Sequence, residues 1–155
     1  MLNQVDLEKI KKITEEFFGK MTFEVEIEFL PQKDLTLPIN LKTEDPQILI
    51  GEGGQTLAEI QHLLKTILKR KIVFEEKFYI NLDINNYKKK KIEYLKELAR
   101  SAADEVALTK KEKALSPMPA YERRILHLEL ANRSDVVTES VGQEPERRII
   151  IKPRP

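Results

Sequence analysis

The sequence predicts an α+β protein that contains two units in succession. Segments with apolar residues at helical spacing are interspersed with segments in which apolar and polar residues strictly alternate. The charge is also unevenly distributed: residues 1–84 contain 11 basic and 15 acidic side chains, whereas residues 85–155 contain 16 basic and 11 acidic ones. The two parts therefore carry net charges of −4 and +5, and such a split favours two units with different partners.

The composition is that of a folded protein. Of the 155 residues 41% are apolar and 34% are charged, and a chain of this length can bury about 70% of its unfolded surface. The sequence shows no apolar run of membrane-spanning length and no secretory signal, which predicts a cytoplasmic protein without membrane insertion. The lack of cysteine excludes thiol chemistry and fits a reducing compartment. With only His62 and His127, no metal site and no cofactor are expected.

The first 84 residues predict the element order α-β-β-α-α-β. Apolar residues at helical spacing indicate a helix over Asp6–Phe18, and strict alternation indicates strands over Thr22–Leu30 and Leu35–Leu41. Because proline cannot donate a ladder hydrogen bond, Pro38 predicts that the second strand lies at a sheet edge or is shortened.

A short helix and a longer one complete this part. Pro46 suits the first helical position and Asp45 suits the cap, so a short helix is expected there. After a glycine-rich interruption, apolar residues from Leu57 to Leu68 predict a strongly amphipathic helix, and alternation over Phe78–Ile84 predicts a third strand.

The remaining residues predict two helices and a small sheet. Asn85 or Asn86 is expected to cap a long helix that reaches about Lys110. The proline-rich segment at residues 116–119 signals the start of a second helix, which runs to about Asn132. Strands are expected over residues 111–115, 136–141 and 147–152.

The glycine-rich segment, Gly51-Glu52-Gly53-Gly54, is the first candidate site. A glycine loop before a helix lets a nucleic-acid backbone approach the free N–H groups of that helix, although the spacing alone favours a plain turn between helices. The surrounding element order resembles a type II KH domain, which has a GXXG loop at this place and grips RNA with it. Glu52 departs from the basic residues usual in such loops, and a carboxylate at contact distance repels a phosphate by about 1 kcal/mol in water.

The second candidate is the pair Arg123 and His127. A spacing of four places both side chains on one face of the predicted helix, where Arg can fork onto a phosphate and His can donate to a phosphate or stack on a base. On its own, this pair more often belongs to a solvated helix face.

The wider context is specific. The segments SPMPAYERRILH, residues 116–127, and VTESVGQEPERRI, residues 137–149, closely resemble the Arg-x-x-x-His (R-3-H) domain of the bacterial Jag family, also called the KhpB, EloR or SpoIIIJ-associated family. Tyr87-Lys88-x-x-Lys91 resembles the Tyr-Arg-x-x-Arg opening of that domain. The resemblance extends from about residue 35 to residue 152, and the N-terminal Jag-N domain of longer members has no counterpart in this sequence.

This resemblance implies a type II KH domain at residues 1–84 and an R-3-H domain at residues 85–155, the latter a three-stranded sheet with helices that binds single-stranded nucleic acid. Arg123 and His127 correspond to the motif. Nearby basic residues add candidates from the sequence itself: Arg124, Arg147, Arg148, Lys152, Lys88 and Lys91. Some of these side chains have an equally good structural role, in which Arg124 pairs with Glu122 or Glu129 and Arg147 with Glu144.

The resemblance implies a protein that binds single-stranded RNA, or alternatively single-stranded DNA, without catalysis. A post-transcriptional role in cell elongation, division or sporulation would follow, as would pairing with a small KH protein or with a second copy through the KH domain. The alternative is an adaptor whose acidic KH half docks a protein partner while RNA binding is secondary. An enzyme is not expected, because no nucleophile–base set or paired carboxylates can be recognised.

Overall fold

The computed structural model describes residues 1–74 and 76–155. The chain forms two compact units, Met1–Lys88 and Lys89–Pro155, called the first and second unit below. Among the helices of the described residues, none combines the length and the apolar character that crossing a bilayer requires.

The first unit has the predicted order of helices and strands, with a 3-10 turn added at Glu52–Gly54. The elements are α1 (Gln4–Gly19), β1 (Glu26–Phe29), β2 (Thr36–Lys42), α2 (Pro46–Ile50), α3 (Gln55–Lys71) and β3 (Tyr79–Ile84). The strands form one sheet in the order β1-β2-β3, in which β1 runs antiparallel and β3 parallel to β2. The first strand has four residues, fewer than the nine expected from its alternation.

One face of this sheet and two helices enclose the core of the first unit. On β2 the apolar side chains at 37, 39 and 41 are buried, and in register with them those at 80, 82 and 84 on β3 are buried as well. Helix α3 contributes four buried residues at helical spacing: Leu57, Ile60, Leu64 and Leu68. Helix α1 adds Ile10 and Phe18.

The prediction for Pro38 was wrong, because β2 is the central strand. The carbonyl oxygen of Pro38 accepts a hydrogen bond from the N–H of Leu30 at 3.0 Å, just beyond the last residue of β1. The carbonyls of Leu41 on β2 and of Leu35 just before it accept from backbone N–H groups on the β3 side, so Pro38 faces β1. Because Pro38 has no N–H, the only hydrogen bond lost is one just beyond the end of the β1–β2 ladder, where β1 has already ended.

Two predicted helix caps are also corrected. Asp45 makes no side-chain capping bond to α2 among the described residues. At the start of the long helix, the carboxylate of Asp83 accepts from the backbone N–H of Lys88 at 3.0 Å, which is the role expected of Asn85 or Asn86. Both asparagines instead adopt positive φ angles, 48° and 58°, which asparagine tolerates better than most residues.

The second unit packs two helices on one face of a three-stranded antiparallel sheet. Its elements are α4 (Tyr87–Thr109), whose first two residues belong to the first unit, β4 (Lys113–Ala114), α5 (Ala120–Leu130), β5 (Val136–Val141) and β6 (Arg148–Pro153). The strand order is β4-β6-β5. The core contains small and branched residues of α4, such as Ala99 and Val106, against Leu126 of α5 and Ile149 and Ile151 of β6.

The turn between α5 and β5 is fixed by Arg133. Its guanidinium donates to both carboxylate oxygens of Asp135, at 2.9 and 2.6 Å, and to Asp104 of α4 at 2.6 Å. The hydrogen bond from Arg133 lowers the pKa of Asp135 to about 2. This network orients the start of β5 relative to α4.

Candidate nucleic-acid interface

The glycine loop, Gly51–Gly54, has a backbone that depends on glycine. Gly51, Gly53 and Gly54 have φ angles of 72°, 60° and 83°. A Cβ on Gly51 would lie 2.1 Å from Oγ1 of Thr56, and a Cβ on Gly54 would lie 3.2 Å from the ring of Tyr87, whereas a Cβ on Gly53 would meet open space. Gly51 is therefore required by the internal packing of the loop.

The exposed part of this loop carries the wrong charge for a phosphate. Glu52 and Gly53 are both exposed, and the loop leads directly into the N-terminus of α3. A helix N-terminus attracts anions, but the Glu52 carboxylate opposes that attraction. The loop has the shape that backbone recognition requires, combined with a charge that weakens it.

Helix α5 positions the residues of the R-3-H motif. It begins after Pro119, whose carbonyl oxygen accepts from the backbone N–H groups of Glu122 and Arg123 at 3.1 Å. Its inward side buries Glu122, Arg123, Leu126 and Leu130. His127 is half-buried at the border of this side, and Arg124 is exposed.

Arg123 lies inside the second unit and has internal partners. Its Nη1 donates to the carbonyl oxygen of Met118 and to Oε1 of Glu144, both at 2.7 Å. The Arg123 side chain is only 9% exposed, whereas that of Glu144 is 56% exposed. The guanidinium thus joins the start of α5 to the segment between β5 and β6, so the side chain expected to contact a phosphate also supports the fold.

Arg147 does not form the ion pair with Glu144 that its structural alternative allowed. The Arg147 guanidinium donates to the carbonyl oxygens of Gly142 at 2.8 Å and Ser140 at 3.4 Å. Sequence spacing favours the nearer arginine, because Arg123 comes within reach only when α5 packs beside the turn.

His127 contacts β5 and has a perturbed pKa. Its Nδ1 lies 2.6 Å from Oγ1 of Thr138. Burial lowers the pKa of His127, and the positive charge of Arg123 lowers it further. The imidazole is therefore neutral at neutral pH and can offer a ring face or a single N–H to a ligand.

Of the other basic candidates, Arg124 lies on α5 with His127, whereas Arg148 and Lys152 lie on a different face. Arg148 and Lys152 alternate along β6 with the buried Ile149 and Ile151, so they point to the sheet face opposite the helices. Lys152 Nζ lies 2.6 Å from Glu139, and this hydrogen bond raises the pKa of Lys152. Arg124 makes no hydrogen bond or ion pair with any described residue, so the expected pairing with Glu122 or Glu129 is not formed.

The two auxiliary lysines have internal partners. Lys88 Nζ donates to Oε1 of Gln61 at 3.0 Å and to Oδ1 of Asn81 at 2.8 Å, all within the first unit. Burial lowers the pKa of Lys88, and the charge of Asp83 partly opposes this. In the second unit, Lys91 Nζ lies 3.7 Å from Oε1 of Glu122. Neither ammonium is fully available to a ligand.

The described part of the chain contains no group of three or more His, Cys, Asp or Glu side chains placed to hold a metal ion.

Comparison with known families identifies the class of the second unit. Residues 93–153 match the R-3-H domain family. The match contains α5, with Arg123 and His127, together with all three strands of the second sheet. The R-3-H part of the sequence resemblance is thereby confirmed.

Curated relatives extend the similarity beyond this domain. The chain is 37% identical over 145 residues to the RNA-binding protein KhpB of Clostridium symbiosum, covering 93% of this chain and 64% of the relative. It is 31% identical over 145 residues to the KhpB of Bacillus subtilis, covering 92% and 66%, and 35% identical over 115 residues to that of Lactiplantibacillus plantarum, covering 73% and 34%. The chain thus spans no more than about two thirds of these relatives. Together with the R-3-H match, they support the Jag/KhpB family for this chain.

Proposed function

We propose that this protein binds single-stranded RNA, with single-stranded DNA as a weaker ligand, and acts by binding alone. The observation that carries the proposal is the R-3-H match over α5 and its sheet, joined to relatives that are named RNA-binding protein KhpB. The excess of basic residues in the second half of the chain supports a polyanionic ligand.

The exposed side of α5 is the proposed contact surface. Arg124, which no described residue pairs with, offers its guanidinium to a phosphate, and the neutral His127 one turn along offers a hydrogen bond or a ring face. Arg123 positions both by holding α5 against the segment before β6. Arg147, Arg148 and Lys152 are a second set of phosphate ligands on the loop and on the opposite sheet face.

Residues 1–84 are proposed to be a type II KH domain and residues 85–155 an R-3-H domain. The element order of the first unit supports the KH assignment, and its glycine loop would contact RNA only weakly because of Glu52. A small KH protein or a second copy is the proposed protein partner. A bacterial cytoplasmic regulator of cell elongation, division or sporulation is the corresponding role.

The test is a titration of the full chain with a labelled single-stranded RNA at low and moderate salt. If about three phosphates are contacted, log K should fall with log salt with a slope on the order of −2. Arg124→Ala should weaken binding and make this slope less steep, whereas Arg148→Ala should do so only if the sheet face contributes. A binding constant that is insensitive to salt would contradict phosphate contact, and the same titration with DNA measures the preference for RNA.

The adaptor alternative is favoured by one observation, the exposed carboxylate of Glu52 in an acidic half. Under that alternative, RNA binding would be absent or equally weak for the wild type and for Arg124→Ala, even at low salt. Such a result would favour a protein, and not RNA, as the main ligand of this chain.

A further inference from the structure

Two tyrosines of the second unit are unusually exposed. Tyr94 on α4 is 59% exposed and Tyr121 on α5 is 55% exposed. A tyrosine ring is a large apolar surface, and folding normally buries most of it. Neither ring forms part of the apolar core around Leu126 and Ile149.

The two rings are connected through the same carboxylate. Oε1 of Glu122 accepts the Tyr121 hydroxyl at 3.1 Å and lies 3.7 Å from Nζ of Lys91. That same Nζ lies 5.8 Å from the centre of the Tyr94 ring. Because Glu122 is only 6% exposed, a buried carboxylate anchors both the Tyr121 hydroxyl and the lysine beside Tyr94. The rings are therefore held before any ligand arrives.

Exposed cations flank both rings. Lys90 lies one helical turn before Tyr94 on α4, and Arg124 lies about one turn after Tyr121 on α5; both are exposed. Aromatic rings beside exposed cations are the combination that single-stranded nucleic acids require, because the ring stacks on a base while the cation neutralises the neighbouring phosphate.

We propose that Tyr94 and Tyr121 form a base-stacking platform for single-stranded nucleic acid. This inference rests on the proposed function and adds the contact that phosphate-binding residues cannot provide, namely recognition of unpaired bases. Stacking on tyrosine tolerates any base, so the platform favours single strands over duplexes without selecting a sequence. The flanking cations favour this ligand over a protein partner, which exposed tyrosines would otherwise suit equally well.

The experiment compares two probes on the full chain. One is a labelled ten-nucleotide single-stranded RNA of mixed sequence, and the other is an abasic oligomer of the same length, which retains the phosphates and lacks the bases. Each is titrated against the wild type, Tyr94→Leu and Tyr121→Leu, and against the matched phenylalanine variants, which keep the ring. Tyr79→Leu is the control, since Tyr79 of the first unit is 47% exposed and also has a lysine, Lys65, 5.0 Å from its ring centre.

The leucine variants should bind the RNA about tenfold more weakly, which is within the range for the loss of one stacked base. Their affinity for the abasic oligomer and their salt dependence should not change, because no phosphate ligand is removed. Tyr94→Phe and Tyr79→Leu should match the wild type, and Tyr121→Phe, which keeps the ring but loses the hydroxyl bond to Glu122, should bind more tightly than Tyr121→Leu. Because the chain has no Trp, RNA should quench the tyrosine emission of the wild type, and each phenylalanine variant should lose part of the quenching.

Two negative results have different meanings. If the wild type binds the RNA and the abasic oligomer equally well, and the leucine variants do the same, the platform is refuted while phosphate-based RNA binding stands. If the wild type binds neither probe at low salt, the proposed function fails and the platform fails with it. A circular dichroism melt of each leucine variant verifies that it remains folded.

Discussion

The glycine loop of the first unit and helix α5 of the second unit use their motifs in the same way. In each, the first residue of the motif has a structural role. Gly51 leaves the space that Thr56 occupies, and Arg123 donates hydrogen bonds to Met118 and Glu144. The residues that face solvent are their neighbours. A motif residue can therefore define the shape of a site while the residue next to it defines the chemistry.

The two sites differ in the charge that they expose. The loop presents Glu52, whereas α5 presents Arg124 beside His127. The same RNA should therefore be repelled by one surface and attracted by the other.

Gly51→Ala should lower the free energy of unfolding by about 3 kcal/mol, because φ is 72° with ψ near 180° and the new Cβ would clash with Thr56. Gly53→Ala is the matched control in the same loop. Its Cβ meets open space, so only the cost of a left-handed backbone remains, about 1 kcal/mol. Equal losses in chemical denaturation would show that the packing at Thr56 does not constrain the loop.

Arg123→Ala should destabilise the protein by about 2 kcal/mol, since it removes two hydrogen bonds of a buried guanidinium while the exposed Glu144 can regain water. Arg124→Ala should change stability by less than about 0.5 kcal/mol. For RNA affinity measured below the melting temperature, the order should reverse, with Arg124→Ala causing the larger loss. The contrast between fold and chemistry on α5 is wrong if Arg123→Ala weakens binding more than Arg124→Ala while leaving stability unchanged.

Glu52→Lys should tighten RNA binding by about fivefold, because it replaces the repulsion between a carboxylate and a phosphate, roughly 1 kcal/mol in water, by an attraction. Glu52→Gln, which removes the charge without reversing it, should give a smaller gain in the same direction. Titrations at two salt concentrations measure both. If neither variant differs from the wild type, the loop does not approach RNA and the first unit contributes no phosphate contact.

His127 should make stability depend on pH below neutrality. Since burial and Arg123 lower its pKa in the folded state, the unfolded state binds the proton first as the pH falls below the ordinary histidine value of 6.5. The free energy of unfolding should therefore decrease as the pH falls from about 6.5 towards the lowered pKa of the folded state. Above that range His127 should cause no pH dependence of the free energy of unfolding. His127→Gln should show a shallower decrease between about pH 7 and pH 5. Parallel curves for the wild type and the variant in urea denaturation would exclude this linkage.

The local structure of this protein follows from short-range patterns in its sequence. Apolar periodicity sufficed for the order of helices and strands in both units, because burying one face of each element imposes that spacing. The glycine loop and the helical pair Arg123 and His127 were also visible, since both are short-range patterns.

The partners of the individual side chains depend instead on how the elements pack in three dimensions. Pro38 lies in a central strand because the neighbouring strand β1 ends beside it, which no pattern within β2 encodes. Arg123 meets Glu144, 21 positions away, because α5 packs beside the segment before β6, and the pleat of β6 separates Arg148 and Lys152 from His127. The physical reason is that periodicity specifies which face of an element is buried, whereas the partners of a charged side chain depend on how distant segments meet in space.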